Sequence, residues 1–400
     1  MSQIDTRRLA WVVDDGIPLT PHLQGLVGET SVLPGRDINA ETVVDADILL
    51  VRSITPITRE LLERSALKFV GTATAGHDHI DTRALADLGL AWAAAPGFNA
   101  ISVMEYVLAA LVETKWLRAV LEGAPVGVVG LGEVGRRLAE RLVAMGATVV
   151  AYDPLAEHWP SGVARSEIDV VLRQPVVTLH ASLTDTGPYP SRHIIDIPQT
   201  HIMLKALAER PCGGLLINAA RGGLISESAL DGLLESEWTI VLDTWPGEPA
   251  LSASNLSRCD WISPHIAGHS AQAKPRGSDM LAVAIARWSQ HPDLIRIPPS
   301  DDVTTSRRSL QVPSIGPDAD AIDFLAAFLL EHSVLAREDA RLRDSVGRGL
   351  SAGLFDHLRS HYQQPDEWTG QSITLEDATN SWGTAMRTMG LRVLSEQGEV

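Results

Sequence analysis

Val126-Gly127-Val128-Val129-Gly130-Leu131-Gly132-Glu133-Val134-Gly135 is the stretch on which the reading of this chain turns. A short apolar run enters a loop with glycines spaced G-x-G-x-x-G, and residues 136–145 then carry a helical pattern closed by Gly146. Alone, such spacing is weak, because glycine turns are common. Here it follows a strand, opens a helix and leads to a second strand at 148–152 that ends on Asp153. That context predicts a dinucleotide-binding βαβ unit. Gly130 permits the tight turn, Gly132 lets a pyrophosphate approach the backbone, and Gly135 allows close helix–sheet packing. The amides of Glu133 and Val134 stand at the helix start, where the backbone dipole favours a phosphate. A carboxylate at Asp153 suits ribose hydroxyls and repels a 2′-phosphate, so NAD is expected over NADP. The plainer alternative is an ordinary βαβ turn with a coincidental aspartate.

Apolar runs at 176–179, 215–217 and 239–242 continue the sheet downstream. Upstream, runs at 9–13, 48–51 and 69–70 alternate with helical stretches at 58–63 and 82–88, an open α/β unit of the parallel kind. Asn99 resembles an N-cap for a long helix that carries Ile101, Met104, Leu108 and Leu111 on one stripe. A helical pattern resumes over 267–288, which suggests a chain that leaves one α/β unit, completes another and returns. The expected domains are residues 1–95 with 268–290, residues 96–267, and residues 291–400. The last segment opens on a linker, Pro298-Pro299-Ser300-Asp301-Asp302, and holds helices near 321–330 and 355–362. It reads as a small accessory or dimerisation domain. The expected class is α/β, with two doubly wound parallel-sheet (Rossmann-like) domains and a small C-terminal α+β domain.

With 400 residues the chain exceeds one ordinary core, and its 45% hydrophobic content is normal for a globular protein. A formal net charge of −17 argues against nucleic acid or an anionic membrane as partner. An anionic ligand therefore needs a local cationic pocket. Two cysteines, Cys212 and Cys259, make no disulfide framework and suit a reducing compartment. Met1-Ser2-Gln3-Ile4-Asp5-Thr6 lacks the apolar core of a signal peptide, and no run is long enough to span a bilayer, so a cytoplasmic protein is expected.

Three further stretches carry chemistry: Ala219-Ala220-Arg221-Gly222-Gly223, Asp243-Thr244-Trp245-Pro246-Gly247-Glu248-Pro249 and Ser263-Pro264-His265-Ile266-Ala267-Gly268. Each follows an apolar run, so Arg221, Glu248 and His265 fall at equivalent ends of successive strands. The Arg221 fork can hold a carboxylate bidentately and polarise the neighbouring carbonyl; its plain use is as a surface arginine in a turn. His265 suits proton transfer, and pairing with Glu248 would orient its ring and favour its protonated form; a lone histidine is more often structural. Beside a nicotinamide, such a set is suited to hydride transfer at a 2-hydroxy acid. Asp243 serves either the nicotinamide end or backbone hydrogen bonding. His180, after another strand, is a weaker candidate base, and His77 and His79 are expected to sit in a polar loop rather than a metal site.

These motifs together resemble the D-2-hydroxyacid dehydrogenases. The glycine loop with Asp153, Arg221-Gly222, Asp243 with Glu248-Pro249, and Pro264-His265 carry the general likeness. A narrower likeness, to a branch acting on a phosphorylated four-carbon acid, rests on several further stretches. They are Val51-Arg52-Ser53-Ile54-Thr55, Phe69-Val70-Gly71-Thr72-Ala73-Thr74-Ala75-Gly76 and Ala94-Ala95-Pro96-Gly97-Phe98-Asn99-Ala100. His265-Ile266-Ala267-Gly268-His269, Arg276-Gly277, Phe355-Asp356-His357-Leu358-Arg359 and Glu367-Trp368 complete them. The resemblance implies NAD-dependent oxidation of 4-phospho-D-erythronate to 2-oxo-3-hydroxy-4-phosphobutanoate, by a homodimer joined through the C-terminal domain.

Site residues follow from the same resemblance. Arg221 and Glu248 match active-site positions and His265 the proton-transfer position. Ser53 and Thr74 match substrate-binding positions. Asp153, Ala181, Ala219, Ala220, Asp243 and Gly268 match cofactor-binding positions. Arg52 and Arg276 are candidate phosphate partners, with surface ion pairing as their plainer use. The chain departs from the family at His269, where a substrate-touching tyrosine is usual, and at Ala181, which replaces a hydroxyl residue. Residues 193–214 are longer than the family norm. Two alternatives stand beside this reading: a related reductase of glyoxylate, hydroxypyruvate or 3-phosphoglycerate, and a non-catalytic NAD sensor.

Overall fold

Short apolar runs, buried along much of their length, make most of the strands. The computed structural model describes residues 3–210, 213–251, 253–291, 309–316, 318–347, 351–395 and 398–399. Cys212 and the expected linker at 298–302 lie outside them. The described residues fall into two compact units, Met1–Asn99 with Ser270–Thr305, and Ala100–His269 with Ser306–Val400.

The first unit is built on β1 (Ala10–Asp14), β2 (Glu29–Leu33), β3 (Ile48–Val51), β4 (Phe69–Thr72) and β5 (Ala91–Ala94). They form one sheet in the order β2-β1-β3-β4-β5, parallel throughout. Ile48-Leu49-Leu50-Val51 is buried at every position, as a strand covered on both faces requires. The helix Ala273–Trp288 returns to this sheet and buries Leu281, Ala282 and Ile285 against Trp11, Leu50 and Phe69. It starts six residues later than its sequence pattern suggests, because the Ser270 hydroxyl accepts from the Ala273 amide and sets the first turn there. β2 and β5 escaped the sequence reading. The first is a largely exposed edge strand, and the second, Ala91-Trp92-Ala93-Ala94, has no β-branched residue.

The second unit holds β6 (Val126–Val129), β7 (Val149–Tyr152), β8 (Val163–Arg165), β9 (Val176–Leu179), β10 (Gly214–Asn218), β11 (Trp238–Leu242) and β12 (Trp261–Ile262). Their order is β12-β11-β10-β9-β6-β7-β8, again all parallel. Successive side chains serve opposite faces. Leu215 and Ile217 join one apolar cluster while Leu216 joins the other, so both faces are covered. Strand order reverses between β6 and β9, which opens a crevice at their carboxyl ends.

The helix Ala100–Glu113 is buried on nearly every side rather than along one stripe. Asn99 does not cap it through its side-chain oxygen: Oδ1 is buried and has no hydrogen-bond partner among the described residues. No described helix is long and apolar enough to cross a membrane.

The C-terminal part of this unit has a small sheet of β13 (Ser309–Leu310), β14 (Ser372–Leu375), β15 (Arg392–Ser395) and β16 (Gly398–Glu399), with helices including Ala321–His332, Leu335–Gly347 and Ala352–Ser360. Phe324, Phe328 and Leu329 share a core with Leu108 and Leu111. Asp339 Oδ1 accepts from the Ile262 amide at 2.9 Å, and Arg343 donates to the carbonyls of Leu256, Cys259 and Asp260. Glu105 accepts from the amides of Trp368 and Thr369 at 3.2 and 2.8 Å. Burial and the neighbouring Glu367 push the Glu105 carboxyl up to about 8.

That last shift links stability to pH. A carboxyl raised by folding holds a proton that the unfolded chain releases, so its contribution is full in acid and is lost as pH rises from 4.5 towards about 8. The melting temperature of the native chain should therefore fall relative to that of Glu105→Gln between about pH 5 and about pH 9. Parallel melting curves across that range would show that Glu105 is not the linked group.

Candidate active site

The functional side chains of the second unit sit beyond the carboxyl ends of its strands. Gly130 closes β6 with φ +92°, and a Cβ there would lie 2.6 Å from the Ala181 amide nitrogen, across the switch point. Gly135 is tighter, since a Cβ on it would meet the Gly130 carbonyl oxygen at 1.9 Å. A Cβ on Gly132 would meet nothing within 4 Å. Gly132 is also the N-cap of the helix Glu133–Ala144 and gives it no side-chain cap, so its first amides stay open to an acceptor. Glu133 turns its carboxylate to Arg137 instead.

Asp153 Oδ2 accepts from the Leu131 amide at 2.7 Å and Oδ1 from the Leu155 amide at 2.8 Å. It thus braces the glycine loop from the end of β7. These residues border a cavity of about 640 Å³ that Tyr152, His180, Ala181 and the segment 188–194 also line, within the usual range for cofactor sites. The glycine cradle, the uncapped helix start and Asp153 fit a dinucleotide.

His180 also lines that cavity. Its Nε2 meets the Thr178 hydroxyl at 2.9 Å, and burial pushes the ring down to about 3. Burial favours the neutral imidazole.

Arg221, Glu248 and His265 follow β10, β11 and β12, as their sequence positions imply. Asn218, the last residue of β10, shapes the Arg221 loop: its side chain donates to the Arg221 carbonyl and accepts from the Ala220 amide. Arg221 Nη1 donates to the Ala220 carbonyl. Gly222 lies against the next loop, where a Cβ would come within 1.9 Å of the Trp245 carbonyl oxygen. The Trp245 amide donates to Glu248 Oε1 at 2.6 Å, and its indole N–H to the Ser263 carbonyl at 3.0 Å. Trp245 therefore ties all three loops together.

His265 Nδ1 lies 2.7 Å from Glu248 Oε2. Burial pushes the Glu248 carboxyl up, but the charge and hydrogen bond of His265, the Trp245 amide and the charge of Arg359 outweigh it and hold the group below its ordinary value. An ionised Glu248 only accepts, so Nδ1 carries the hydrogen and Nε2 is left for proton transfer. The His265 backbone is left-handed, with φ +57°, a conformation rare outside glycine and typical of functional sites.

Asp243 sustains that conformation. Its buried carboxylate accepts from the Ser263 hydroxyl at 2.6 Å, the Ile266 amide at 2.7 Å and the Ala267 amide at 3.0 Å. Of the two uses open in the sequence, Asp243 takes the second: its oxygens bind the backbone and hydroxyl of the segment 263–267. Ser263 also meets the Tyr106 hydroxyl at 2.7 Å, and His269 sets its ring 6.3 Å from that of Tyr362. Asn218, Trp245, Ser263, Tyr106 and Tyr362 were not singled out from sequence. Asn218, Trp245 and Ser263 had a signal, since each sits beside or within a strand-end motif.

In the first unit, Ser53 is exposed beyond β3 and Thr74 donates to the Gly76 carbonyl beyond β4. Arg52 pairs with the buried Asp14 at 2.7 Å and with Asp15 at 3.5 Å, the plainer of its two expected uses. Arg276 is no surface cation: it is buried and donates to the Phe98 carbonyl at 2.7 Å. His79 meets the Thr72 hydroxyl, and His77 packs against Trp92.

Comparison with known proteins identifies the family. Residues 103–267 match the family described as D-isomer specific 2-hydroxyacid dehydrogenase, NAD binding domain. The chain is 37% identical over 374 residues to an erythronate-4-phosphate dehydrogenase of Teredinibacter turnerae, covering 91% of this chain and 94% of that one. It is 36% identical over 390 residues to the enzyme of that name from Klebsiella pneumoniae, covering 96% and 98%. Among solved structures, a D-lactate dehydrogenase of Aquifex aeolicus, complexed with NAD and lactic acid, shares the fold at a TM-score of 0.57. Its identity is 20%, over 72% of this chain and 97% of that one. With such identity along nearly the full length of its relatives, the chain belongs to the erythronate-4-phosphate dehydrogenases, within the D-isomer-specific 2-hydroxyacid dehydrogenase family.

Proposed function

We propose that this chain oxidises 4-phospho-D-erythronate at C2 to 2-oxo-3-hydroxy-4-phosphobutanoate, a step towards pyridoxal 5′-phosphate, with NAD as oxidant. The observation that carries the proposal is the His265–Glu248 pair, held by a strained loop at a strand end. Bound NAD supplies a nicotinamide C4 that accepts hydride. The protein's own groups do the rest.

The amides of Glu133 and Val134 hold the pyrophosphate, and Asp153 serves the adenosine ribose. Gly130, Gly132 and Gly135 provide the room, while Ala181, Ala219, Ala220 and Gly268 complete the cofactor's surroundings, and Asp243 acts behind them by holding the loop 263–267. Arg221 clamps the substrate carboxylate. His265 Nε2 takes the C2 hydroxyl proton as the hydride departs, and Glu248 stabilises the resulting imidazolium. Ser53, Thr74 and His269 are assigned to substrate. Arg52 and Arg276 are assigned to its phosphate, a role in which Arg52 would have to share its charge with Asp14.

Two finer assignments go with this reading. The C-terminal part of the chain joins two copies as a homodimer, and the protein works in the cytoplasm, consistent with its net charge of −17 and few cysteines. Sedimentation of the purified chain as a monomer would remove the first of these.

Two measurements test the chemistry. His265→Ala should lower kcat by roughly 10²- to 10⁴-fold while NAD affinity stays within a factor of about two. Equal loss of both would make the residue structural, and equal rates with glyoxylate, hydroxypyruvate or 3-phosphoglycerate would favour a different substrate. Gly135→Ala places a methyl against the Gly130 carbonyl, so NAD binding measured by calorimetry should disappear in that variant. Retained binding would mean that the glycine loop is not the cofactor cradle.

A further inference from the structure

Beyond the carboxyl end of β4 the side chains of Thr74, Thr72 and His79 stand in single file. The Thr74 hydroxyl donates to the Gly76 carbonyl at 2.7 Å. Its oxygen lies 2.6 Å from the hydroxyl oxygen of Thr72, the last residue of β4. Thr72 Oγ1 lies in turn 3.0 Å from His79 Nε2. Thr72 is fully buried, whereas Thr74 and His79 are half-buried. Backbone bonds fix both ends of the row. The Thr74 carbonyl accepts from the Ala95 amide at 3.0 Å, and the His79 carbonyl from the Ile57 amide at 2.8 Å.

The supply of hydrogens gives the row a direction. A threonine hydroxyl has a single hydrogen to donate. That of Thr74 is spent on the Gly76 carbonyl, so Thr72 must supply the hydrogen in the contact between the two hydroxyls. Thr72 then has none left for the ring, and His79 Nε2 carries the hydrogen that lies between them. The order runs from His79 Nε2–H to Thr72, from Thr72 to Thr74, and from Thr74 to Gly76. Donors in line polarise one another, so the row resists reversal. Thr74 Oγ1 keeps a lone pair and no hydrogen, and towards any further group it only accepts.

Such an acceptor discriminates among the groups of a phosphorylated 2-hydroxy acid. A carboxylate and a phosphate dianion bring no hydrogen, whereas a hydroxyl does. In the proposed reaction the C2 hydroxyl proton passes to His265, which leaves the hydroxyl on C3. We propose that Thr74 accepts from the substrate's C3 hydroxyl, and that His79, acting through Thr72, is the positioning residue that keeps Thr74 an acceptor. His79 touches no reacting atom. The assignment rests on the proposed function and deepens it, by making a second hydroxyl part of what the site selects.

The test compares 4-phospho-D-erythronate with 2-hydroxy-4-phosphobutanoate of the same C2 configuration, which lacks the C3 hydroxyl. In the unchanged chain kcat/KM should favour the first acid by about tenfold or more. His79→Phe removes the ring donor, and Thr74 can then turn its hydrogen to Thr72 and leave Gly76. The preference should shrink to about threefold or less, through loss on the hydroxylated acid, while the rate with the other acid stays within about twofold. His79→Gln, whose amide N–H can donate to Thr72, should restore most of the preference. Should His79→Phe unfold, Thr72→Val keeps the buried shape, breaks the same row and should lose the same discrimination. In the unchanged chain without substrate, nitrogen nuclear magnetic resonance of the His79 ring, assigned with His79→Gln and recorded above the ring's own titration, should show the Nε2–H tautomer.

An Nδ1–H ring would overturn the proposal. So would equal losses with both acids in His79→Phe, which is what a purely structural role produces, or an unchanged chain that does not prefer the hydroxylated acid. If the unchanged chain oxidises no 2-hydroxy acid, the functional reading fails by itself. Calorimetric binding of the two acids then decides whether Thr74 reads the C3 hydroxyl, and equal binding or none counts against it.

Discussion

Asp243 is 1% exposed, and its carboxylate gathers one hydroxyl and two backbone amides from the segment 263–267. Burial works against its charge and pushes the carboxyl up, against the pull of His265 and these hydrogen bonds. Hydrogen bonds to an ionised group contribute about 1.5–3 kcal/mol each, whereas a left-handed non-glycine residue costs about 1–3 kcal/mol. Three such bonds act together on the segment that holds His265 at φ +57°. Glu248 can meet the imidazole only because that backbone is fixed. Asp243 sets the loop, and Glu248 then sets the tautomer of the ring that the loop carries.

Both units obey the same rule of parallel sheets. Every strand in the two large sheets runs the same way, so residues after the strands collect at one edge of each sheet. Gly130, His180, Arg221, Glu248 and His265 all follow strands of the second sheet in this way, and Glu248 and His265, 17 positions apart, are in direct contact. Close approach is then a matter of side-chain size. Glycine is required at 135 and at 222 because backbone carbonyls occupy the space a Cβ would take.

The legible part of the sequence was the part with regular physics. Continuous apolar runs such as Val126-Gly127-Val128-Val129 mark buried strands, and glycine spacing marks a backbone that must come close to something. The strand-end residues Arg221, Glu248 and His265 followed from these. Less legible were elements whose stabilisation comes from tertiary contacts. β8, Val163-Ala164-Arg165, and the mixed-polarity helix Leu335–Gly347 carry little local signal. Asn99 looked like a cap and is not bonded as one, while Arg276, read as a phosphate partner or else an exposed ion-pairing cation, is buried. Trp245 shows the limit most clearly. Its place in a strand-end motif marks the loop but not its role, and only its two N–H donors, placed by the fold, reveal that it links Glu248 to Ser263.

β12 is two residues long and ends the seven-stranded sheet, a place where open backbone invites another strand. Asp339 fills the hydrogen-bonding site at Ile262, and Arg343 covers the carbonyls just before it. A strand from a second molecule would have to displace a charged carboxylate to add itself there. The C-terminal helix thus acts as a stop against sheet extension, and a chain shortened before Asp339 would expose the rung from which fibrous aggregation can start.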